Sequence, residues 1–364
     1  MNCPQRILLV QLRRIGDVLL CTPAVRALRV SCPESYIVFL TEKESSDLLA
    51  LNPYLDELIV LERERYQNPF YSFRKMWEIR KRSFDLAIDF MGNPRSAYIS
   101  LFSGAKRRVG HDLHFRRLFY NLVVKDDGVP KYAAVHKLQV LRRLGWQSQD
   151  LKLDFFIPEE AEASAERFFK ENGLEESKFT ISISPTSRRR FRRWPLNRFA
   201  QLADWLISEF RANVILVWGP DEKEVVEEVK SLMREKPAVS QETRSLFQLG
   251  AMLKRCDLHI GNDNGTKHIA VAMGKPTITV FGPEDPTNWT YPDPCRHKVL
   301  KSDMDCPDCD KIKDKCHELS CLDLITVEEV QGVFLKLLKD LQEIEERGIA
   351  EKIERLTVDQ RRVV

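Results

Sequence analysis

The chain predicts an α/β protein built on doubly wound parallel sheets, and three observations carry that expectation. Short apolar runs at residues 7–12 (ILLVQL), 36–41 (YIVFLT), 57–61 (ELIVL), 86–90 (LAIDF), 179–184 (FTISIS), 214–218 (VILVW) and 277–281 (TITVF) alternate with segments of helical spacing. Most of these runs are β-branched and apolar along their length, the composition of strands covered on both faces. Loops carrying Gly, Pro, Asp and Asn punctuate them, and 364 residues suit two domains of about 150 to 170 residues each.

Composition narrows the class. Hydrophobic residues make up 43% of the chain and charged residues 30%, the balance of a soluble globular protein. A net charge of +3 is too small to argue for a nucleic-acid partner, although residues 188–193 hold five arginines in six positions. No run approaches the roughly 18 apolar residues of a membrane span. The segment 7–12 meets Arg13 and Arg14 at once, which leaves it too short for the core of a signal peptide. The expectation is a cytoplasmic protein whose nine cysteines stay thiols.

Taken in order, residues 7–12 form a first strand and Arg13, Arg14, Ile15, Gly16 and Asp17 the loop into a helix over about 18–30. Asp17 sits where a helix cap sits, and capping alone accounts for it locally. Strands follow at 36–41 and 57–61, then a helix at 71–82, a strand at 86–90 and a loop at Gly92, Asn93 and Pro94. No GxGxxG follows the first strand, which argues against a nicotinamide or flavin enzyme. Residues 106–117 (KRRVGHDLHFRR) are strongly basic, read either as a solvated face or as a patch for an anionic partner. His136 opens a helix reaching about Leu144, and a strand at 151–157 (LKLDFFI) leads to Pro158, where the first domain ends.

The second domain begins with an acidic helix and the strand 179–184, then Pro185, Thr186, Ser187 and the arginine run up to Trp194 and Pro195. Arginines beside a strand-end loop suit a diphosphate clamp, because a guanidinium engages phosphate oxygens in pairs. A nucleic-acid patch is the other reading of the run, but no RNA-binding motif accompanies it. Residues 260–286 (IGNDNGTKHIAVAMGKPTITVFGPEDP) concentrate special residues: a strand end, the loop Asp263, Asn264, Gly265 and Thr266, a short Ala-rich helix carrying His268, a second strand and a second loop. A helix N-terminus at such a loop favours an anion. Common α/β scaffolding also produces this pattern.

The segment 260–286 resembles the C-terminal signature of glycosyltransferase family 9, the ADP-heptose:lipopolysaccharide heptosyltransferases, with Asn264 where many members carry Ser or Thr. Gly16, Asp17, Val18, Leu19, Thr22, Pro23, Ala24 and Leu28 match that family's opening motif. Trp194 and Pro195 match its K-x-W-P segment, with Arg192 at the Lys position. The resemblance runs from residue 7 to about 330 and implies the GT-B architecture, two Rossmann-like domains facing one another across a cleft. Implied boundaries are 1–158 for an acceptor domain, 159–325 for a nucleotide-sugar domain, and a helix at 326–349 returning to the first.

What the resemblance implies chemically is inverting transfer of a heptose from ADP-heptose to a lipid-linked inner-core acceptor, without a required cofactor. Asp17 would be the general base. Thr186, Ser187, Arg192, Glu222, Asp263, Asn264, Gly265, Thr266 and His268 would hold the donor. The acceptor would meet Arg13, Arg14, Asn93, Arg95 and His136, at the cytoplasmic face of the inner membrane. Trp289 and Tyr291 would line the pocket. Rival readings of the same architecture are a hydrolysing sugar-nucleotide epimerase, a transferase for another nucleotide sugar and a noncatalytic nucleotide-binding module; a nucleic-acid binder is a fourth.

Cys306, Cys309, Cys316 and Cys321 stand within sixteen residues and include one CxxC pair. That spacing suits a structural zinc or a set of reduced thiols. Thr326 and Glu329 are spaced as a capping box opening the last long helix.

Overall fold

The computed structural model of the chain describes residues 3–112, 118–125, 127–188, 192–282, 284–304, 321–344 and 352–353. It divides into two units, Met1–Phe156 and Ile157–Val364. The first runs β1 (Arg6–Val10), α1 (Ile15–Leu19), α2 (Thr22–Ser31), β2 (Tyr36–Glu42), α3 (Asp47–Ala50), β3 (Glu57–Leu61), α4 (Pro69–Lys81), β4 (Leu86–Asp89), α5 (Pro94–Phe102), β5 (Arg107–His111), β6 (Leu122–Val124) and α6 (Ala133–Arg143). Its six strands are all parallel, in the order β3-β2-β1-β4-β5-β6. Strand order reverses between β1 and β4, and ligands of such sheets bind beyond the carboxyl ends of the strands at that reversal.

The second unit repeats the plan with α7 (Glu159–Glu171), β7 (Thr180–Ser184), α8 (Leu196–Phe210), β8 (Asn213–Leu216), α9 (Lys223–Leu232), β9 (Ala238–Val239), α10 (Leu246–Arg255), β10 (Leu258–Asn262), α11 (Gly265–Ala272), β11 (Thr277–Phe281), β12 (His297–Lys301) and α12 (Val327–Glu343). The parallel order is β12-β11-β10-β7-β8-β9, so the reversal falls between β7 and β10. Both sheets bury the apolar residues of their central strands, with Leu8 and Leu9 of β1 and Ile181 and Ile183 of β7 fully inaccessible. Gly261 permits the close approach at the second reversal, because a Cβ there would lie 2.9 Å from the Ser184 carbonyl oxygen.

Three sequence expectations are corrected. Residues 151–157 are not a strand: the Asp154 N–H donates to the Thr22 hydroxyl at 2.9 Å and its carboxylate pairs with Arg26, so side chains of α2 take the bonds a ladder would have made. The helix expected over 18–30 is two helices, α1 and α2, separated at Leu20 and Cys21, and Thr22 bonds back to the Leu19 carbonyl. The last helix, α12, opens on its capping box, and its apolar face packs in the core of the second unit. There Phe334 meets Trp205 and Phe210 edge-on at 5.7 and 5.1 Å. Cys3 and Cys32 form a disulfide, so not every cysteine is a thiol. Cys21 and Cys256 are buried thiols, and burial pushes both up to about 12.

Candidate functional site

In the second unit the predicted donor residues gather at the β7–β10 reversal. Asn264 caps α11 by accepting the Lys267 N–H at 3.3 Å, the role its short polar side chain favours. Its amide nitrogen reaches across to the Ser184 hydroxyl at 2.9 Å and the Thr186 carbonyl at 3.0 Å, which stitches the loop after β10 to the loop after β7. The Thr186 hydroxyl donates to Glu222 Oε2 at 2.8 Å, and the Gly219 N–H donates to the same oxygen at 2.9 Å. Loops after β7, β8 and β10 are thereby fixed to one another. Gly265 and Thr266, at the start of α11, stay half-exposed, and the first N–H groups of a helix have no partner within it.

Charge at this edge is dense and paired. Lys267 Nζ donates to Asp263 Oδ1 at 2.5 Å and lies 4.1 Å from the centre of the Phe281 ring. The other Asp263 oxygen accepts from Arg192 at 3.2 Å, and the guanidinium also pairs with Glu284. Burial pushes the Asp263 carboxyl up, but Lys267, His268 and Arg192 outweigh it and hold the group below its ordinary range. Burial lowers Lys267 despite Asp263. His268 is buried beside Trp289 at 6.4 Å, and burial drives its imidazole down to about 3. Trp194 anchors the segment carrying Arg192: it is fully buried, its backbone N–H donates to Asn262, and its indole N–H donates to the Ile325 carbonyl.

In the first unit, Asp17 is half-buried in α1 just past the carboxyl end of β1, and one of its oxygens accepts the Arg14 N–H at 3.3 Å. Nearby, Cys21 Sγ contacts the Asp17 carbonyl at 3.3 Å and Gln11 Oε1 at 3.9 Å. Lys137 of α6 donates to Gln11 Oε1 at 3.3 Å and to the Phe90 carbonyl at 2.5 Å, which puts an ammonium across the β1–β4 reversal. Asp89 is buried there; burial raises its pKa against the opposing donors Tyr120, Gly92 and Met91.

A family model described as glycosyltransferase family 9 (heptosyltransferase) matches residues 72–319. The chain belongs to that family. Lipopolysaccharide heptosyltransferase 3 of Escherichia coli is 25% identical over 289 residues, covering 75% of this chain and 82% of the relative. A family 9 glycosyl transferase from Veillonella parvula has a crystal structure that superposes with a TM-score of 0.83 at 28% identity, over 92% of this chain and 98% of that one. E. coli heptosyltransferase WaaC with ADP superposes at a TM-score of 0.68 and 19% identity, over 92% and 98% of the two chains, a likeness of fold. The protein is an α/β glycosyltransferase of the GT-B class.

Within this family frame, Thr186, Glu222 and Asn264 are bonded to one another, Arg192 pairs with Asp263, Lys267 joins the two groups through Asn264 and Asp263, and Gly265, Thr266 and His268 follow along α11. Ser187 is buried beside them, its carbonyl taking the Arg193 guanidinium. Among the acceptor candidates, Asn93 caps α5 through the Ser96 N–H at 2.7 Å. Arg95 pairs with buried Glu42 at 3.0 Å and stacks over Tyr66 at 4.1 Å. Burial raises the Glu42 carboxyl against the pull of Arg13 and Arg95. Arg13 offers its carbonyl to Gln11, Arg14 is exposed, and His136 is half-buried on α6. Tyr291 packs on His297 at 5.4 Å.

Glu42, Lys137 and Glu284 are the residues the sequence reading passed over. Glu42 and Glu284 sit at or just beyond strand ends, and Lys137 follows His136 directly, so strand-end carboxylates and the helix face of His136 were the available signals. Cys306, Cys309 and Cys316 lie outside the described residues, and Cys321 packs half-buried against the core of the second unit. Among the described residues, no three His, Cys, Asp or Glu side chains converge as metal ligands, and no helix is long and apolar enough to cross a membrane.

Proposed function

We propose that this chain is an inverting heptosyltransferase that moves a heptose from ADP-heptose to an inner-core lipopolysaccharide acceptor. The observation that carries the proposal is the set of Thr186, Glu222 and Asn264, joined through Lys267 to the Asp263–Arg192 pair, at a strand-order reversal beside the N-terminus of α11. That edge supplies what a nucleoside diphosphate needs: backbone N–H groups and a guanidinium for phosphate, and a fixed carboxylate for ribose hydroxyls. The ADP held by WaaC supports the same ligand here.

In the reaction, the Asp17 carboxylate takes the proton of the acceptor hydroxyl as its oxygen attacks the anomeric carbon. The bond from that carbon to the diphosphate breaks, and ADP leaves from the opposite face of the sugar. Arg192 and the start of α11 stabilise the charge that accumulates on the departing diphosphate, a role set by fixed dipoles. A lipid-linked acceptor brings the enzyme to the cytoplasmic face of the inner membrane.

Calorimetric titration with ADP, UDP and GDP tests the donor assignment. The expected result is selective ADP binding, weakened about 10- to 100-fold in Arg192→Ala, the scale of lost charge-assisted hydrogen bonds. A preference for UDP, or unchanged affinity in the variant, overturns it.

A further inference from the structure

The side of α4 that turns away from its core is aromatic. Phe70, Phe73 and Trp77 are 84, 71 and 52% exposed, while Tyr71 and Ile79 on the opposite side are buried. Their spacing of three and four residues puts them on one face of the helix. Phe73 and Trp77 stack with ring centres 6.5 Å apart. Basic side chains share the face: Arg74 is exposed, and Lys81 lies 5.6 Å from the centre of the Trp77 ring.

The patch continues onto α5. Arg80 donates to the Phe102 carbonyl at 3.4 Å, which ties the C-terminal end of α4 to that of α5. There Tyr98 and Phe102 are about half exposed, and Leu118, beside the Tyr98 partner Phe119, is 78% exposed. Exposed apolar residues occur singly on any soluble surface, but a contiguous aromatic face marks an interaction site. Within residues 69–82 there are five basic side chains (Arg74, Lys75, Arg80, Lys81, Arg82) and one acidic one, Glu78; Arg74 and Lys75 pair with Glu78 and Arg82 with Glu57, which leaves the segment a net positive charge.

We infer that this face of α4 and α5 docks on an anionic lipid bilayer. The charge selects that occupant: a protein partner or a second copy would have to bring its own acidic, apolar complement, whereas anionic headgroups over acyl chains supply both together. Trp77 enters the headgroup boundary, where an aromatic ring with one polar edge is favoured, Phe73 beside it buries apolar surface, and Arg74 and Lys81 meet phosphate above them. The inference supplies a surface for the membrane contact in the proposed function, but its test reads lipid binding and not transfer. A failed transfer assay and a failed lipid assay are therefore separate results.

The test is sedimentation of the full chain with vesicles of phosphatidylethanolamine and phosphatidylglycerol, with phosphatidylcholine vesicles as the neutral arm. The expected result is binding to the anionic vesicles that weakens with salt, falls about tenfold or more in Phe73→Ser/Trp77→Ser, and falls in Arg74→Glu/Lys81→Glu. Both pairs are exposed, and an unchanged circular dichroism spectrum with unchanged ADP binding establishes that each variant is folded. Brominated lipid quenches part of the tryptophan emission of the wild type, and Trp77→Phe removes that part while leaving sedimentation nearly intact. No binding to anionic vesicles, equal binding to neutral ones, or unaltered binding by both double variants overturns the inference. So does a dimer in light scattering that the aromatic variant dissociates while vesicle binding persists.

Discussion

Asp263 and Lys267 form a buried ion pair one turn apart, Nζ to Oδ1 at 2.5 Å, with only 8 and 4% of the two side chains exposed. The pair lies where the loop after β10 becomes α11, so the loop proposed to present N–H groups to a phosphate is locked by an internal charge contact. Removing one partner of a buried pair leaves the other charged and unsolvated, which costs about 3 to 5 kcal/mol. Asp263→Asn is expected to lower the urea midpoint of the second unit and weaken ADP binding with it. Adding Lys267→Met should recover much of the stability. Denaturation of the single and double variants checks this, and an additive double variant would contradict a paired role.

Arg192 is already paired with Asp263 and with Glu284. A diphosphate must compete with the Glu284 carboxylate for the guanidinium, since Asp263 is held by Lys267 as well. Glu284→Gln is therefore expected to tighten ADP binding a few-fold, opposite in sign to Arg192→Ala. Calorimetry decides it: weaker binding in Glu284→Gln would make Glu284 a direct contact to the nucleotide.

Acid should destabilise the second unit through its histidines. Burial depresses His259 and His268 to about 3 and His297 to about 4, from 6.5 in the unfolded chain. Between those values the unfolded chain binds more protons than the folded one, so stability is fully present above about pH 6.5 and falls as pH drops toward 4. Each histidine contributes up to about 1.4 kcal/mol per pH unit within its window. Unfolding midpoints measured from pH 7 to 4 are expected to decline, and His268→Gln should make the decline shallower. A flat profile would contradict neutral, buried imidazoles in the folded state.

Asp17→Asn separates base catalysis from binding. Its carboxamide still accepts the Arg14 N–H, so α1 keeps its first turn, and no donor residue is touched. Turnover should fall about 100-fold or more, the scale of a lost general base, with ADP affinity unchanged. Turnover close to wild type would remove Asp17 from the chemistry.

Strands β3 and β11 are legible residue by residue because their apolar runs end at clear polar or turn-forming neighbours. β5 was hidden inside the basic stretch: Val109 and Gly110 are buried in it, but the flanking arginines dominate its composition. β9 and β12 are short or carry polar ends that periodicity does not register. The run at 151–157 looks like a strand yet finds side-chain partners on α2, and only the tertiary structure reveals that competition. At the site, Asn264 and Gly265 were readable because a loop entering a helix demands those residue types. Glu284 and Lys137 were not, since their significance comes from which groups they meet across the sheet edge.

The most direct measurement is ADP release from ADP-heptose by purified wild-type protein, with and without an inner-core lipopolysaccharide acceptor. The account predicts ADP only when both are present, together with an acceptor extended by one heptose of inverted anomeric configuration. Rapid ADP release without acceptor would identify a hydrolase or epimerase instead, and consumption of a UDP-sugar but not ADP-heptose would contradict the donor assignment.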